Sequence, residues 1–137
     1  INMAIFLLLL VFGGVGARVT FSDNAYNDVL VYIHPDVPED VRLLDNINKT
    51  FTSASALLHR ASHQHFYFGT ITIYIPHTWT TKTFYEDVDQ ESRDNMDVFI
   101  EPSRADGDHS SNAPFTPNFK GCEQMGEYIH FTNTFML

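Results

Sequence analysis

Val41, Leu44, Ile47, Phe51, Ala54, Leu58 and Ala61 recur every three or four residues, and this stripe constrains the architecture more than any other feature of the chain. It is the apolar face of an amphipathic helix. Pro38 suits a first helical position, and Glu39 and Asp40 favour the positive end of the helix dipole. The spacing predicts a helix over 38–62, with Asn48 on the flank of the stripe. Before it, residues 28–33 are rich in β-branched and aromatic side chains and stop at His34-Pro35-Asp36, the pattern of a buried strand. After it, residues 66–76 alternate: Ile71, Ile73 and Ile75 point one way, Thr70, Thr72 and Tyr74 the other. Residues 96–100 and 127–132 read as a third and a fourth strand. The polar, acidic segment 77–95 and the Pro- and Gly-containing segment 101–118 read as loops. The order strand, helix, strand, strand, strand gives an α/β (α+β) fold: a mixed four-stranded sheet with one long helix on one face. One helix cannot cover four strands, so the fold reads as incomplete.

The amino terminus addresses the compartment. Residues 3–12 are an unbroken apolar run, and small residues follow to Val15 and Ala17, at the minus-three and minus-one positions of a cut before Arg18. That is a secretory signal pattern, although no positive charge precedes the run. A membrane span needs ~20 apolar residues, more than this run supplies. The expectation is a signal peptide over 1–17, a domain over 18–137 and a secreted or cell-surface protein. The net charge of −9 repels phosphate and disfavours nucleic acid as a partner. Asn48-Lys49-Thr50 is the one Asn-x-Ser/Thr glycosylation acceptor. Cys122 is the single cysteine, either a disulfide candidate toward another chain or segment, or a free thiol.

No catalytic motif emerges from the residues themselves. His59 and His63 are four apart on the predicted helix, close to His65, but Arg60-Ala61-Ser62 separates them and no glutamate follows the first histidine. Asp106-Gly107-Asp108 lacks EF-hand spacing and reads as a solvated loop. The carboxylates between Glu86 and Asp97 form no pattern, and nucleophile elbows and phosphate-binding glycine loops are absent. The expectation is no catalytic residue, metal ligand or cofactor within this chain.

Several stretches, in order, carry a resemblance: residues 23–28, Val37-Pro38-Glu39-Asp40, Ser53-Ala54-Ser55, residues 66–76 with Thr78-Trp79, Pro114-Phe115-Thr116 and, most specific, residues 122–132. Together they resemble the N-terminal domain of the calcium-activated chloride channel regulator family. The family usually has glycine where Glu123 stands, and an Asn-Gly-Tyr turn where this chain has Asn24-Ala25-Tyr26. The resemblance implies a zincin-like metalloprotease domain in a secreted or surface-associated protein that cleaves itself, carries a von Willebrand A domain and modulates calcium-activated chloride conductance. It implies a zinc-binding helix with His-Glu-x-x-His after residue 132, so the chain is expected to stop short of that helix and to be inactive alone. The zinc belongs to the full-length parent, and the partners implied are a chloride channel at the cell surface and the rest of the parent chain. Ile129, His130 and Phe131 then fall on an edge strand lining the substrate cleft, or on an edge strand with no substrate role. A second functional class stays open: a secreted interaction or regulatory module acting on an ion channel without proteolysis.

Overall fold

The structure, a computed structural model, describes residues 19–80, 95–104 and 112–137. Its elements run β1 (Thr20–Ser22), β2 (Ala25–Asn27), β3 (Val29–Ile33), α1 (Val41–Ala61), β4 (Tyr67–Phe68), β5 (Ile71–Tyr74), β6 (Val98–Glu101), β7 (Ile129–Thr132) and α2 (Asn133–Met136). Four strands form the main sheet in the order β5-β3-β6-β7, and β1-β2-β4 form a smaller one.

Every ladder of the main sheet is parallel, which corrects the expectation of a mixed sheet. Parallel neighbours need connections of about a dozen residues or more. Helix α1 supplies one such return, and the long segments before β6 and before β7 supply the others. Among the described residues antiparallel pairing is confined to the β1–β2 hairpin and to an isolated bridge between Phe115 and His130. The hairpin turns on Asp23 and Asn24, both at positive φ (52° and 63°), the geometry of a two-residue turn matched to strand twist. The chain then steps from the small sheet to the main one at Asp28, also at positive φ (62°). Gly69 makes the matching step between β4 and β5. A Cβ on it would lie 2.1 Å from Asn27 Oδ1, so a larger residue would have to push that side chain from its hydrogen bonds with Thr70.

Side chains alternate across the main sheet. Val31, Ile33, Val98 and Ile100 pack with Leu43, Leu44 and Ile47 of α1, joined by Val37, Trp79 and Met136. Ile71, Ile73 and Ile75 pack against that core, as their alternation predicts. Leu30 and Phe99 fill the opposite face, where Tyr32 stacks on Tyr74 at 5.1 Å.

Helix α1 begins at Val41, three residues later than Pro38. The reason is Asp40, which is extended (φ −147°) and accepts a hydrogen bond from Arg42 N at 2.9 Å as the N-cap. Its carboxyl is held below the usual range by the Arg42 side chain and then by the Arg42 backbone N–H. Val41, on the stripe read from the sequence, is 57% exposed, and Leu43 is fully buried. Burying a side chain such as Leu43 or Ile47 contributes about 1.5–3 kcal/mol, so these two outweigh the cap in anchoring α1.

Candidate functional site

Strand β7 lies at one end of the four-strand order, but its outer side is occupied at His130. His130 N donates to Phe115 O at 2.7 Å, and Phe115 N donates to His130 O at 3.3 Å. The outermost, antiparallel position is therefore held by the segment at Phe115. Ile129, by contrast, donates inward to Asp97 O at 2.9 Å. A peptide adding to this end of the sheet would pair outside Phe115 or displace it.

His130 is 4% exposed, on the face opposite α1. Phe115 stacks on its ring at 4.3 Å, and Nε2 lies 2.9 Å from Glu101 Oε2. With the carboxylate accepting, Nε2 carries a proton. Nδ1 is buried without a hydrogen-bond partner, which costs about 1–3 kcal/mol. Neither Glu101 nor Phe115 is legible in the sequence as a partner of His130, because they lie 29 and 15 residues away in segments with no shared pattern. Ile129 (46% exposed) and Phe131 point to the α1 face instead.

Two grooves flank α1. The first, about 280 Å³, lies toward β6 and β7 and exposes only apolar surface. Val31, Val98, Ile100, Ile129, Phe131 and Met136 line it across from Ile47, Thr50, Phe51 and Ala54 of α1. The second, about 520 Å³, lies toward β4 and β5. Its helix wall is Asn48, Phe51, Thr52, Ser55, Ala56 and His59, and Tyr67, Phe68, Gly69 and Ile71 face them. Phe51 is the ridge between the two. The sequence marks Asn48 as an acceptor but gives no sign of the groove beside it.

The remaining candidates are scattered. His59, His63 and His65 are exposed, and α1 ends at Ala61. His63 sits at φ 53°, past the helix, so His59 and His63 do not make the helical pair their spacing suggests. Among the described residues no three of His, Cys, Asp and Glu converge, so these residues do not fit a zinc site. The thiol of Cys122 is exposed. Glu123 beside it holds φ 69°, a left-handed conformation suited to the glycine usual at that position. Residues 1–17 and Asp106-Gly107-Asp108 lie outside the described residues. Among the described residues no helix is long and apolar enough to cross a membrane.

The model of a family described as calcium-activated chloride channel N terminal matches residues 19–137. The chain belongs to the calcium-activated chloride channel regulator family. It is 41% identical over 123 residues to calcium-activated chloride channel regulator 2 of Mus musculus, covering 89% of this chain and 12% of that protein. Against regulator 1 of Bos taurus it is 35% identical over 139 residues, covering 100% of this chain and 15% of that protein. Regulator 4 of Homo sapiens is 32% identical over 119 residues, 87% of this chain and 13% of that protein. The chain thus spans 12% to 15% of the length of the relatives it matches. No solved structure matches it. For this family member, the matched region takes in β1 to α2 with both grooves, so these are features of the N-terminal region of a regulator.

Proposed function

We propose that this chain is the sheet-bearing half of a zincin-like domain, at the front of an exported regulator of calcium-activated chloride conductance. The observation that carries the reading is the apolar groove beside α1. A parallel sheet is stable with both faces covered, and here Ile129 (46% exposed) and the half-buried Phe131 stay partly open beside α1 among the described residues. Ile129 and Phe131, at the open side of this groove, offer apolar surface suited to a second helix alongside α1. In the parent protein that helix would carry His-Glu-x-x-His, and α2, with Met136 packed into the core, leads toward it. The element order β3-α1-β5-β6-β7 supports the same reading. The described residues of this chain would supply none of the metal ligands. Their part is to shape the cleft, with the segment at Phe115 as the outermost strand against which a peptide would lie. Export follows from the signal pattern at residues 1–17, and a chloride channel at the cell surface is the partner the family points to.

The test is the parent sequence and its processing. An intact His-Glu-x-x-His soon after residue 132, with self-cleavage lost on Glu→Gln in that motif, supports the reading. A parent that lacks the glutamate and still alters chloride conductance favours the non-proteolytic module. Exposed Phe119 (78%) and Met125 (88%), on the same loop as Cys122, favour that second reading as a contact surface.

A further inference from the structure

We infer that the larger groove beside α1 is a carbohydrate seat, filled by an N-linked glycan attached at Asn48. The inference rests on the export reading, because the sugar is added only in the secretory compartment. Asn48 is both the acceptor of the Asn48-Lys49-Thr50 triplet and a wall residue of the groove. It is exposed, and its side-chain amide makes no hydrogen bond to any described residue, so attachment there breaks no contact. Thr52, Ser55 and His59 continue from it along one helical stripe. At 1.5 Å per residue the groove's helix wall runs ~16 Å from Asn48 to His59, room for the first sugars of a glycan.

The lining matches sugar chemistry. Tyr67 and Phe51 offer aromatic surface to the apolar C–H faces of pyranose rings. The ring nitrogens of His59 have no hydrogen-bond partner among the described residues, so they are available to sugar hydroxyl and acetamido groups. The volume of about 520 Å³ falls within the ~300–1,000 Å³ typical of small-molecule sites. The opposite groove is lined mainly by apolar side chains and carries no acceptor asparagine. The covalent step forms one bond, from Asn48 Nδ2 to the anomeric carbon of a lipid-linked oligosaccharide. Nδ2 loses a proton and the lipid diphosphate leaves, without oxidation or reduction.

The complete chain would be expressed in a eukaryotic secretory host with its own first 17 residues and, in parallel, with a heterologous signal in their place. Peptide mapping after enzymatic deglycosylation should find carbohydrate at Asn48 in both. Release of the glycan by peptide N-glycosidase under native conditions should be several-fold faster in Tyr67→Ala and in His59→Ala than in wild type. Release after denaturation should be equal in all three. An unmodified Asn48 behind the heterologous signal overturns the site. A modified Asn48 with equal native release in wild type and both variants overturns the seat. Modification behind the heterologous signal alone indicts the export reading and leaves the groove assignment standing.

Discussion

The two flanks of α1 differ in a way that assigns each a different kind of neighbour. Toward β6 and β7 the helix presents Ile47, Thr50 and Ala54 over a floor of Val, Ile, Phe and Met. Toward β4 and β5 it presents Asn48, Thr52, Ser55 and His59. The first surface gains only by removal from water, at roughly 25 cal/mol per Å² of apolar area, so a packed protein segment suits it. The second holds donors and acceptors that would be costly to bury unpaired, so water or a polyhydroxyl ligand suits it. A single helix thus separates an apolar side from a polar one, and Phe51 is the wall.

The largest effect is expected from Ile47→Ala, which removes a fully buried side chain at the root of the apolar flank. A loss of about 2–5 kcal/mol is expected. Urea melts followed by circular dichroism would measure it, and a loss under 1 kcal/mol would place the core elsewhere. Next is Gly69→Ala on the polar flank. Its Cβ would collide with Asn27 Oδ1 and approach Ala25 Cβ at 3.1 Å, so a destabilisation of about 1–3 kcal/mol is expected. Unchanged melting would mean that the β2–β4 step is loose. Ile129→Ser should sharpen the contrast between contexts. In this chain alone, where Ile129 is half exposed, the shift should stay within about 0.5 kcal/mol, while binding of an apolar dye falls. In the full-length parent the same change should impair processing, and equal tolerance in both contexts would argue against a covering helix.

A modest, pH-dependent effect is expected at the start of α1. The Asp40 carboxyl is lowered by the Arg42 side chain, so the charged form is favoured by folding. Its contribution is complete above the ordinary aspartate range and is lost as pH falls below that range through the lowered folded value. Asp40→Ala should lower Tm by a few degrees at neutral pH, with the difference from wild type shrinking in acid. Exposure and solvent screening keep it small.

Strand β3, the body of α1 and strand β5 were legible because each repeats its own period over several residues. Strands β1 and β2 were not. They are three residues each, and their turn uses Asp23-Asn24, which carries no glycine to announce it. The helix start was misread because Pro38-Glu39-Asp40 supports either a first turn or a cap, and only the extended φ of Asp40 decides between them. The parallel sense of the sheet is a property of return paths that no local pattern encodes. His130 was legible as a strand residue, but its burial depends on Phe115, which reaches it from a segment that reads as loop.

The Asn48-Lys49-Thr50 triplet straddles α1, with Asn48 on one groove and Thr50 on the other. Two residues along a helix are turned about 200° apart, whereas in an extended chain they share a side. An enzyme that must read asparagine and threonine together can do so only while this stretch is still unwound. The glycan proposed at Asn48 would therefore have to be added before α1 winds, and the fraction modified would report how late that helix forms.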